Sequence, residues 1–264
     1  MQGDNRSMSS YPGFEPPIPQ TPEITKPRGL AHPIHTLLLV ALLLANSWYG
    51  GIKSNQHELE HGGTASYIVT AGLEAVIVGF VWLGLRLRKV PFSEVIGGRW
   101  KSFDDFGIDI GIAAMFWLGS AVVLALLQFA LGMMNKQGVS EKLGKLQPLA
   151  PHSVKELFFF LVLAVMAGIC EEIVFRGYLQ KQFTAWFRNL PAGIIVSAVL
   201  FGAAHGYQGT KLMLILSVYG AMFGIMAALR KSIIPGMMAH AWQDSLAGVM
   251  LWFIARHPDF FPIK

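Results

Sequence analysis

The chain has 264 residues, 53% of them hydrophobic and only 14% charged, with a mean hydropathy of +0.47. Soluble domains carry roughly 25% charged residues, so a disordered chain, a disulfide scaffold and an ordinary cytosolic enzyme are all excluded. The apolar residues are blocked into long runs, and the net charge of +5 then points to basic membrane flanks rather than a nucleic-acid partner.

Residues 1–33 hold seven of the fourteen prolines and are expected to form a disordered, cytosolic Pro-rich tail. An apolar run over 34–52 follows, read as a retained first helix and not a signal peptide. His57-Glu58-Leu59-Glu60-His61 satisfies the HExxH zinc pattern. It lies in a polar loop with no apolar helix face to support it, so a solvated loop is the preferred reading. The run over 65–87 is interrupted by Glu74, which has no motif around it. Glu74 is expected to partner a polar group on another helix or to line a substrate cavity.

Residues 91–106, with Phe92, Val95, Ile96, Trp100 and Phe103 among charges, read as an interfacial segment. Further apolar runs occupy 108–134, 157–179, 191–205, 212–229 and 233–255. A bilayer core takes about 20 helical residues, and most of these runs reach that length. The pattern predicts an all-α, polytopic membrane helical bundle of seven helices, or eight if the last run breaks. Residues 34–154 form its N-terminal part, 155–255 its C-terminal part, and 256–264 a C-terminal tail. With the N-terminus inside, inner segments carry 13 of the 21 Lys and Arg residues and outer segments 8, which favours a cytosolic N-terminus.

Four of the sixteen acids, Glu74, Glu171, Glu172 and Asp244, interrupt apolar runs, as do Arg176, His205 and His240; the other twelve acids are placed in the tail, at loops or at helix ends. A charge at a helix centre costs on the order of 3 kcal/mol, so these groups are expected to face the bundle interior. Glu172 and Arg176 are four apart and can pair on one helix face. His240 and Asp244 share a face in the same way. A carboxylate and an imidazole facing one water can orient it and take its proton, and a second imidazole can donate to an oxyanion. Glu171, His205, His240 and Asp244 are equally an acceptable donor set for zinc or another divalent metal, and that alternative stays open. Cys170 beside two carboxylates lacks the electropositive neighbour a reactive thiolate needs.

Glu171-Glu172-Ile-Val-Phe-Arg176 resembles the EExxxR motif of the CPBP family, the CAAX prenyl-proteases and bacteriocin-processing intramembrane proteases. Phe201-Gly-Ala-Ala-His205 resembles its FxxxH motif, and His240-Ala-Trp-Gln-Asp244 its third, a His followed four positions on by Asn or Asp. The three occur in the family's order on separate apolar runs. The resemblance implies that 155–255 holds the catalytic helices of an intramembrane endopeptidase, with the site inside the bundle. Glu171 would act as general base, His205 would hold the water, His240 with Asp244 would stabilise the oxyanion, and Glu172 and Arg176 would brace the site. The prenyl-protease branch resembles an Asn at the place of Asp244, and an ionised Asp accepts hydrogen bonds but does not donate them. Protonation, a bound metal, or orientation of His240 would each account for it, and orientation is preferred.

The expected partners are the lipid bilayer and a membrane-associated peptide or protein substrate, including a prenylated CAAX-type one, in a bacterial inner membrane. No cofactor is required if Glu171 activates water directly. A proton-coupled transporter using the same groups as a relay and an inactive immunity or scaffold protein are the competing readings.

Overall fold

The computed structural model describes residues 29–55, 63–98 and 100–257, and these fold almost entirely as helices. The tail up to residue 28, the His57–His61 motif and the chain from 258 onward lie outside the described residues. In chain order the helices begin with α1 (Pro33–Asn55), α2 (Gly63–Leu87), the one-turn α3 (Ser93–Ile96), α4 (Phe103–Ala130) and α5 (Lys136–Leu146). They are followed by α6 (Val154–Glu171), a π-helical segment (Glu172–Leu179), α7 (Gln180–Phe187), α8 (Leu190–Ala204), α9 (Thr210–Arg230) and α10 (Ile234–Arg256).

Among the described residues five helices are long and apolar enough to cross a membrane: Pro33–Ile52, Gly63–Leu87, Phe103–Ala130, the continuous Val154–Phe187, and Thr210–Arg230. Two more complete the bundle. α10 has 23 residues, enough to span, but His240, Gln243 and Asp244 lower its hydropathy. α8 has 15 residues, about 22 Å at 1.5 Å per residue, which falls short of the ~30 Å hydrocarbon core.

Helix starts follow local chemistry. Ser102 and Ser153 accept from the backbone N–H groups of Asp105 and Glu156 at 3.2 and 3.1 Å, and Asn189 accepts from Ala192 at 2.8 Å beside Pro191. At the other end, α7 and α9 stop at Arg188 and Lys231, both left-handed with φ of 52° and 55°. Residues 91–106 contain the single turn α3 and the start of α4. Val95 of α3 is buried, and Lys181 Nζ donates to the Val95 carbonyl at 3.1 Å. Gly97 bridges to Ser232, so this stretch is clasped between α7 and the α9–α10 turn.

One acid stands away from the helix ends where the sequence placed it. Asp109 is six residues into α4 and 2% exposed, and it accepts from Trp100 Nε1 and Arg230 Nε, each at 2.8 Å. Its partners lie nine and 121 residues away, so no local spacing announced the cluster.

Candidate active site

The segment that carries Glu171 and Glu172 changes helical form at that point. From Glu172 to Leu179 the chain is π-helical, and all eight of its residues are buried. Such segments are rare and concentrate at functional sites. Ser197 on α8 donates to the Phe175 carbonyl inside this stretch at 2.7 Å.

The two adjacent glutamates grip opposite nitrogens of one imidazole. Glu172 Oε1 is 3.2 Å from His240 Nδ1, and Glu171 Oε2 is 3.7 Å from His240 Nε2. Because a carboxylate only accepts, Nδ1 is the protonated nitrogen in the contact with Glu172. Glu172 Oε1 also accepts from Arg176 at 2.7 Å, and Arg176 donates to the Gly220 carbonyl at 3.2 Å. The guanidinium lies over the rings of Phe201 and Phe223, at 4.3 and 4.9 Å from their centroids. With Glu172 at 0% and Arg176 at 1% exposure, the pair is fully desolvated and anchors the imidazole.

Glu171 faces the second histidine as well. Its Oε1 lies 3.8 Å from His205 Nε2, too long for a direct hydrogen bond and suited to a shared water. His205 Nδ1 is 2.9 Å from the Phe201 carbonyl, which only accepts, so Nδ1 carries the proton and Nε2 presents a lone pair toward Glu171. Asp244 Oδ2 is 3.6 Å from His240 Nε2. Asp244 is 37% exposed, against 13% for Glu171, so the site opens on the Asp244 side.

Helix ends and close approaches create this convergence. His205 is not inside a helix as its apolar surroundings suggested; it is the residue after α8, followed by a 3₁₀ turn, Gly206–Gln208. Because α8 is too short to span, its end lies within the bundle, where irregular backbone must line a cavity or protein. α6 meets α10 at Gly168, where an added Cβ would stand 2.6 Å from the backbone nitrogen of Ala241. Gly168→Ala therefore forces the two helices apart, a strain worth about 1–3 kcal/mol. The expected outcome is a lower Tm in detergent and a lower kcat, since Glu171 and His240 ride on those helices.

All six motif residues of the sequence reading, Glu171, Glu172, Arg176, His205, His240 and Asp244, thus surround one locus. Glu74 on α2 joins them through electrostatic interactions with Glu171, His240 and Asp244. Cys170 is buried with Glu74 and Glu171 as its electrostatic neighbours. Phe201 was visible only as a motif letter, yet its ring covers Arg176 and its carbonyl fixes the His205 tautomer. Phe223, whose ring centroid is 5.3 Å from that of His240, carried no sequence signal at all. Among the described residues no group of three or more His, Cys, Asp or Glu side chains is arranged to hold a metal ion. His240 Nδ1 is engaged by Glu172 and His205 Nδ1 by the Phe201 carbonyl, which leaves both Nε2 atoms turned toward Glu171.

The helices that carry this geometry run from the cap of α6 to the middle of α10. Residues 153–246 match the model of the Rce1-like, type II CAAX prenyl endopeptidase family. The Rce1-like match encloses all six motif residues and begins at Ser153, the capping residue of α6. Neither a curated protein nor a solved structure matches the chain. The long apolar helices make this an integral membrane protein, and its 153–246 segment is similar to the Rce1-like family.

Proposed function

We propose that the protein is an intramembrane endopeptidase that hydrolyses a peptide bond in a membrane-associated substrate, including a prenylated CAAX-type peptide, by Glu171-activated water. The observation that carries the reading is the placement of Glu171 Oε1 opposite a lone-pair-bearing His205 Nε2, 3.8 Å away. A water between them gives one hydrogen to each acceptor, which turns its oxygen lone pair toward the substrate.

Attack forms the oxygen–carbon bond, moves the carbonyl π pair onto oxygen, and leaves the proton on Glu171. Collapse of the intermediate breaks the C–N bond; its electron pair goes to nitrogen, which takes the proton from Glu171. His240 keeps Nδ1–H on Glu172, so it donates from Nε2 to the oxyanion as the imidazolium. Carboxylates of Glu171, Glu172 and Asp244, all within 3.7 Å of its ring nitrogens, offset that charge. Asp244 on this view supports His240 and does not itself donate, which fits an Asp where the prenyl-protease branch resembles an Asn.

The basic residues favour a cytosolic N-terminus, and a bacterial inner membrane is the compartment this reading adopts. A test separates direct water activation from metal activation. Purified protein in detergent is incubated with a strong chelator, then assayed on an internally quenched farnesylated CAAX peptide. Cleavage is expected to persist unchanged; loss that zinc restores would replace this mechanism with a metal-dependent one.

A further inference from the structure

We propose that Tyr207 is a catalytic residue whose phenol donates a hydrogen bond to the oxyanion; the inference rests on the peptidase reading above. It follows from the donors the site lacks. A tetrahedral oxyanion is held by preorganised donors aimed at the charge that develops, yet nearly every polar group around Glu171 accepts. In the peptidase reading Glu171 is engaged as the base and Asp244, 3.6 Å from His240 Nε2, as the support of that imidazole. His205 donates from Nδ1 to the Phe201 carbonyl and presents only a lone pair. Arg176 is committed to Glu172 and the Gly220 carbonyl. Ser47 on α1 donates to the Ala203 carbonyl at 2.7 Å. His240 Nε2 is then a single donor.

Tyr207 supplies another. It sits two residues after His205 in the turn that ends α8, with its ring 6.2 Å from that of His205 and inclined by 30°. Its oxygen accepts from Gln208 Nε2 at 3.1 Å, so the lone-pair side is engaged and the O–H remains to be given. The hydroxyl interacts electrostatically with Glu171, Asp244 and Glu74, the carboxylates that face His240 and His205. Its ring also walls a cleft lined by Leu44, Ser47, Trp48 and Gly206, so one residue borders both the cleft and the reacting groups. Tyr219 is the other phenol nearby, but it is 5% exposed in the α4–α9 core, and its neighbours are Asp244, Glu172 and Arg176. Its ring is packed between Phe116 and Phe223, 6.2 and 4.6 Å from their centroids, whereas Tyr207 borders the cleft.

Tyr207→Phe keeps the ring and removes the donor. With the farnesylated CAAX peptide, this variant is expected to lose about 10²-fold in kcat with KM within twofold. A peptidyl phosphonate that presents an anionic tetrahedral centre should bind it about tenfold more weakly, a loss of one donor's share of that affinity. Gln208→Leu, which frees the phenol to rotate, should lose less kcat in the same direction. Unchanged kcat and phosphonate affinity in Tyr207→Phe, or a rise in KM alone, would overturn the assignment and leave the ring as a cleft wall. Glu171→Gln run in parallel distinguishes the two levels: if it cleaves at the wild-type rate, the peptidase reading fails and this inference falls with it.

Discussion

Glu171→Gln is expected to lower peptide hydrolysis by about 10²–10⁴-fold without unfolding the protein or removing it from the membrane. Gln is nearly isosteric with Glu but has no carboxylate to receive the water's proton. The loss is therefore chemical and appears in kcat. Stability is expected to hold or rise, because Glu171 Oε2 is buried with no hydrogen-bond partner and removing its charge relieves a desolvated group. His205→Ala should also lose activity, since it deletes the second acceptor that orients the water. The measurement is single-turnover cleavage beside thermal denaturation in the same detergent. An active Glu171→Gln would remove Glu171 from the chemistry. An inactive but unfolded one would return the cluster to interhelical glue.

Two physical facts made the membrane bundle legible from the sequence. Apolar runs near 20 residues have one stable form in lipid, the helix, and ionisable groups within them are too expensive to be incidental. That logic selected Glu171, Glu172, Arg176, His205, His240 and Asp244 before any distance was known. What escaped it were features set by tertiary geometry. The π-helical turn at Glu172–Leu179 is a hydrogen-bond register that no spacing encodes. The same apolar sequence that suggested a helix through His205 hides a chain reversal at Gly206–Gln208, where Gly209 takes φ of 97°. Asp109 fell at the start of the apolar run over 108–134, among the acids placed at helix ends; only the fold brings Trp100 and Arg230 to it. Glu74 carried no motif because its partners come from α6 and α10, about a hundred or more residues away.

The Glu172–Arg176 pair separates bracing from glue most sharply. Arg176→Met is expected to destabilise the protein by about 3–5 kcal/mol, the effect of stranding a buried carboxylate without its partner. Glu172 would then keep only His240, and its Oε2 already has no hydrogen-bond partner. The double variant Glu172→Leu/Arg176→Met removes both charges and should recover most of that stability, because an apolar pair fills the same space without the desolvation cost. Its activity should remain lost. Without Glu172 nothing holds the proton on His240 Nδ1 or fixes the ring against Glu171, and Phe201 and Phe223 lose the cation between them. Chemical denaturation in detergent gives the first quantity, and cleavage of the farnesylated peptide gives the second. Stability and activity recovering together would make the pair structural glue. Stability returning without activity would assign it the work of aiming His240.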